Sequence, residues 1–91
     1  MLLLEFESVV FGEDNKPNIV PTIIDMLGIK DWEGSYVDIG EVTRPCITIR
    51  KEDFEYSRPI LIEFEKFKTL FQSATGNIVT SAEEYLKTVE L

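Results

Sequence analysis

The run from Leu2 to Phe11 alternates along an extended chain, and that alternation limits the architectures open to this sequence. Leu2, Leu4, Phe6 and Val10 fall on one side, Glu5 and Glu7 on the other. Successive side chains of a strand point to opposite faces, so the run predicts a β-strand with one buried and one wet side. Such a strand needs neighbours for its backbone groups and a layer to cover its apolar face.

The next segments supply candidates for both. Residues 12–18 read as a loop by their turn chemistry. A short helix is predicted after it: Pro21 suits a first turn, Val20, Ile23, Ile24 and Leu27 share a side, and Gly28 is placed to end it. Lys30 to Ser35 reads as a polar loop carrying Trp32. Tyr36 to Val42 is a strand weakened by Gly40, and Cys46 to Arg50 a clearer one. From Phe54 the even positions keep a period of two that Pro59 interrupts, marking an edge strand or a break, with Ile60 to Glu63 the secure part.

The period then changes. Phe64, Phe67, Leu70, Phe71 and Ala74 make a helical stripe over residues 64–75, with Gly76 as its stop. Asn77 to Val79 is short enough for an edge strand. Thr80 and Ser81 each precede a glutamate by three residues, Glu83 and Glu84, which is a capping-box signature for a last helix. The order predicts an α+β domain: a small antiparallel or mixed sheet of four to five strands, with two to three helices packed on one face.

Ninety-one residues make a single compact acidic domain over 1–91. A folded chain of this mass exposes roughly 5,400 Å², about 36% of its unfolded surface, so its core is modest. The apolar opening Met1 to Leu4 stops at Glu5, too short for a signal h-region, and no stretch approaches a membrane span. Cys46 is the only cysteine, so no intrachain disulfide forms, and a reducing cytoplasm is the expected compartment.

Catalytic chemistry is poorly provided for. Histidine is absent, which removes the commonest general base, the Ser-His and Cys-His systems, and histidine-containing zinc sites. Glu13-Asp14-Asn15 lacks the alternating pattern of a calcium loop, and the five glycines form no phosphate-binding fingerprint. Cys46 reads as a small core or surface residue. No enzyme activity, metal or cofactor is expected.

Charge is the more informative feature. The net charge is −8 and lies in the first half. Residues 1–42 carry nine carboxylates against Lys16 and Lys30; the remainder carry eight against seven bases. Such a chain repels phosphate backbones and anionic membranes, and suits a basic protein partner. Glu13, Asp14, Asp31, Glu33, Asp38 and Glu41 form an acid-rich arc around Trp32. If exposed, that tryptophan is an anchor with a charged rim; if buried, it caps the core.

The profile is similar, in composition only, to small inhibitors of the immunity-protein or phage anti-defence type. That analogy implies a nucleic-acid enzyme as the basic partner, with carboxylates occupying its phosphate-binding groove. Two alternatives stand beside it. Arg44, Arg50 and Arg58 with Tyr36 and Tyr56 are a candidate pocket for a nucleotide or other anionic metabolite, unless they pair with neighbouring acids. A homo-oligomeric structural subunit joined by edge strands is the other.

Overall fold

The computed structural model describes residues 1–90. Strand β1 (Leu2–Phe11) forms as its alternation predicts, with Leu2, Leu4 and Phe6 buried and Glu5 and Glu7 exposed. Its backbone is satisfied on both sides. Strand β2 (Pro17–Asp25) pairs antiparallel with it along nearly its whole length.

The structure corrects the short helix expected around Pro21 and ending at Gly28: residues 17–25 form a strand instead. The isoleucine-rich run has strong β propensity, and β1 offers it a full ladder. Pro21 lies opposite Glu7, whose own carbonyl accepts from Leu61 on the far side of β1. Bonds alternate sides along a strand, so Pro21 faces the open edge, where its missing N–H costs nothing. Helical geometry survives only as a single 3-10 turn, Met26–Gly28, with the Asp25 carboxylate accepting from the Leu27 N–H. Gly28, expected to end the helix, does not adopt the left-handed conformation by which a glycine commonly stops one.

Strand β3 (Ile29–Ile39) absorbs the expected Trp32 loop, and β4 (Val42–Lys51) pairs antiparallel with it. Gly40 sits in the two-residue turn between them, not within a strand; its φ of +65° belongs to the left-handed region that glycine enters freely. After β4 the regular pattern fails. The segment 52–63 keeps only isolated bridges, of Glu55 to Arg50 and of Ile60 to both Ser8 and Ile47.

Helix α1 (Phe64–Gln72) ends three residues earlier than the stripe suggested. Strand β5 (Ile78–Ser81) adds parallel to β1, giving a β2-β1-β5 order. Helix α2 (Ala82–Val89) starts at the predicted cap: the Ser81 hydroxyl accepts from the Glu84 N–H, and Thr80 donates to the Glu84 carboxylate.

The fold is α+β, with five strands in two pieces and two helices. Ile60 joins the pieces. It exchanges both backbone bonds with Ile47, while its neighbours bond to β1: Pro59 accepts from Val9, and Leu61 donates to Glu7. Ser8 and Ile47 therefore lie level, and β1 and β4 run in the same direction.

Residues paired across a ladder share a face. Leu4, Phe6, Ile24, Ile47, Ile49 and Ile60 share the face on which Phe67, Leu70, Tyr85 and Leu86 of the helices pack. The opposite face carries a smaller cluster of Val9, Cys46 and Leu61. The molecule measures 40 × 31 × 20 Å and exposes 5970 Å². That is slightly more than its mass predicts, as its flattened shape requires.

Phe67 is fully buried and meets Phe6, Trp32 and Phe71 ring to ring, at centroid distances of 6.1, 4.9 and 6.3 Å. Phe67→Ala is expected to cost about 3–5 kcal/mol in urea unfolding, since it removes a ring that no neighbour can replace. A loss below ~1 kcal/mol would show that the two helices do not pack on the sheet as described.

Candidate functional site

The acid-rich arc of the sequence is divided by the fold. Because β1 and β4 run in the same direction with Ser8 level with Ile47, the turn after β1 and the turn before β4 lie at opposite ends of the sheet. Glu13 and Asp14 occupy the first turn; Glu41 lies in the second and Asp38 at the end of β3 beside it. About eleven residue steps along the strands separate the two ends, roughly 35 Å. The seven residues Glu13, Asp14, Asp31, Trp32, Glu33, Asp38 and Glu41 do not make a single patch.

Several of these carboxylates already have partners. Lys16 lies 3.9 Å from Asp14, and the Thr43 hydroxyl donates to Asp38 at 2.6 Å. Asp31 and Glu33 project from one face of β3 and meet Arg50 of β4. The Arg50 Nε donates to Asp31, and its Nη1 lies 3.4 Å from Glu33 and 3.8 Å from Glu55. Hydrogen bonding to Asp31, then to Glu33, raises the guanidinium's affinity for its proton further above its ordinary value. The cluster is exposed, so each pair is screened by water and salt. It still leaves three carboxylates against one cation in that cluster.

Trp32 points the other way. Alternation along β3 puts it on the helix side, where its ring meets Phe64, Phe67 and Phe71 at 5.0, 4.9 and 6.1 Å. It is half-buried and caps the core, so it is no anchor ringed by acids. The parity that brings Asp31 and Glu33 together excludes the residue between them.

The arginines and tyrosines do not converge either. Arg50 is enclosed by three carboxylates, and Arg44 lies 3.9 Å from Glu7. The Lys51 ammonium donates to the Asp25 carbonyl. Tyr36 and Arg44 project from opposite faces, since Tyr36 pairs with Pro45 and Arg44 with Val37. Tyr56 packs against the main core, and burial, with a smaller contribution from Asp25, pushes its phenol up. Arg58 is exposed in the irregular segment before Pro59. These five residues frame no common concavity.

A different surface emerges on the sheet face away from the helices. Ile19, Pro21 and Ile23 of β2 lie opposite Val9, Glu7 and Glu5 of β1, and Leu3 lies opposite Val79 of β5. No helix covers this face, and Ile19, Ile23 and Val79 remain 46%, 56% and 76% exposed. Beside this strip a cleft of about 490 Å³ opens where the sheet meets the helices, walled by β1 and β2 on one side and by Glu63, Lys66, Glu83 and Leu86 of α1, α2 and their caps on the other. Ile19, Pro21, Leu61 and Leu86 supply apolar lining, with Glu5, Glu7, Glu63 and Glu83 as carboxylates and Arg44 and Lys66 as cations. The sequence did contain a signal for it: Ile19 and Ile23 flank Pro21 at a spacing of two. Reading that stretch as a helix concealed it.

Among the described residues no group of three histidine, cysteine or carboxylate side chains is placed to hold a metal ion. No helix of the described residues is long and apolar enough to cross a membrane. Cys46 is buried beneath Leu61 and Val9, and burial pushes its thiol up, away from the nucleophilic thiolate. No family model, no curated protein and no solved structure matches the chain.

The Cys46 setting gives a direct check. Iodoacetamide is expected to leave the native thiol unmodified at neutral pH over hours, and to alkylate it within minutes in denaturant. Rapid alkylation of the folded protein would show that Val9, Leu61 and Cys46 do not close over one another.

Proposed function

We propose that this protein is a binding module that docks the open face of its sheet, together with the cleft between that face and the helices, onto a basic protein partner, blocking the surface it covers. The observation that carries this reading is the cleft. Four carboxylates stand against two cations around a lining that includes Ile19 and Pro21, and Ile23 and Val79 are exposed on the same sheet face.

Each part has a role in such a contact. The uncovered aliphatic side chains provide area whose burial drives association, at about 25 cal/mol for each Å² removed from water. A monomer gains nothing by leaving such a strip exposed. The carboxylates at the margin complement lysine and arginine on the partner and speed its approach. Asp31, Glu33 and Glu55 lie on the same face and extend the negative field beyond the cleft. The net charge of −8 adds long-range steering that salt weakens. An inhibitor of a nucleic-acid enzyme fits this pattern, since a phosphate-binding groove is basic and bordered by apolar surface. The engaged acids are then chiefly Glu5, Glu7, Asp31 and Glu33, not the whole of the sequence arc.

The test is capture on immobilised protein from its native host, at low and at high salt. Wild type is expected to retain a basic protein that high salt releases. Glu5→Lys with Glu7→Lys is expected to weaken retention about tenfold, or 1.4 kcal/mol. Glu13→Lys with Asp14→Lys, at the far turn, is expected to retain it nearly as well. Equal retention by both double variants would defeat the assignment of the face.

A further inference from the structure

The two outer edges of the sheet are built differently. On β2 the residues whose backbone points outward are Pro17, Ile19, Pro21 and Ile23, because their partners on β1 bond the other way, toward Pro59 and Leu61. Two of those four positions are proline and offer no donor, which blunts the edge against strand addition.

Strand β3 has no such protection. Ile47 and Ile49 of β4 direct their backbone bonds away from β3, to Ile60 and Tyr56. Their partners Gly34 and Trp32, and by alternation Tyr36, therefore turn their N–H and C=O groups to the open side. The strand spans Ile29–Ile39, contains no proline, and has its one irregularity at the Ile29/Asp31 end. Beside this edge lie two exposed aromatic rings, Tyr36 at 75% and Phe64 at 49%.

The sequence of that edge is complementary to itself. We propose that a second copy of this chain pairs antiparallel with the free edge of β3, about a two-fold axis at Gly34, making one sheet continuous through both. Gly34 then faces Gly34 of the second copy, Trp32 faces Tyr36, and Lys30 faces Asp38. All are related by the axis, so each contact occurs twice. The outward backbone groups of Trp32, Gly34 and Tyr36 find partners in hydrogen-bonded pairs. Tyr36 leaves solvent to lie across from Trp32, near the Phe64 ring that covers Gly34. Opposite-charge and aromatic cross-strand pairs both stabilise a ladder.

Neighbouring registers lack this match. Moving the axis to Glu33 sets two glutamates against each other, and moving it to Ser35 sets Trp32 against Asp38. On the other face the Gly34 register places Asp31 opposite Val37 and Glu33 opposite Ser35, with no like charges directly paired. The β3 edge lies apart from the cleft at Glu5 and Glu7 and shares with the proposed docking face only Asp31 and Glu33, whose side chains project from the face and not from the edge.

Mass by sedimentation and light scattering over a range of concentrations tests the pairing. Wild type is expected at about 21 kDa, twice the 10.5 kDa of one chain. Added salt is expected to strengthen the dimer, because it screens two chains that each carry −8; a basic partner responds in the opposite sense. Tyr36→Pro removes an outward N–H without touching a bond to β4, and is expected to give the single-chain mass with an unchanged far-ultraviolet spectrum.

Lys30→Glu alone, or Asp38→Lys alone, is expected to weaken the dimer about tenfold by setting like charges opposite each other. The two together are expected to restore it. A single-chain mass for wild type at every concentration overturns the proposal, as does a dimer untouched by Tyr36→Pro. Should that variant unfold, the charge swap decides: failure of the double variant to recover overturns the pairing at Gly34.

Discussion

Ile60 gives and accepts a backbone hydrogen bond with Ile47, and the residues on either side of it bond to β1 through Val9 and Glu7. Four bonds in a segment with no strand partner of its own length hold the β1-β2-β5 piece to the β3-β4 hairpin. Their position sets the level of one hairpin against the other, and hence which turns share an end of the molecule. Pro59 fits there because its carbonyl, not its absent N–H, makes the bond to Val9. Ile60 itself is buried on the helix side, so the same residue that joins the sheet also contributes to the core.

That single level divides the two faces and their duties. One face is closed by α1 and α2 over the large aliphatic and aromatic core. The other has only the small cluster of Val9, Cys46 and Leu61 at its centre, with aliphatic side chains and carboxylates left open around it. A strand that alternates in β1 fashion serves both at once: Phe6 goes to the core, while Glu5 and Glu7 border the cleft. The chain thus keeps its large core and the surface proposed for docking largely on opposite sides of one layer.

Charge follows the same geometry. The acids of the first half are dense in sequence, yet a strand spreads them over more than 3 Å per residue and over two faces, and hairpins send their turns to opposite ends. Arg50 gathers Asp31 and Glu33 of β3 and Glu55 of the segment after β4, while Trp32, adjacent to two of them, is turned into the core. Proximity along the chain therefore says little about proximity on the surface in a protein made mainly of strands.

The sequence by itself determined the α+β class, β1, the capping box at Ser81, the two C-terminal helices and the lack of histidine chemistry. Each of these depends on local periodicity, local hydrogen bonding or composition alone. It did not determine the state of residues 17–25, where helix and strand patterns compete for the same isoleucines and the open ladder of β1 decides. Nor did it determine the side of the sheet on which Trp32 lies, the division of the acidic arc, or the cleft at Glu5 and Glu7. Those follow from strand register, which is set by hydrogen bonds between segments as distant as Ser8, Ile47 and Ile60. A shift of one residue in that register would turn every side chain to the other face.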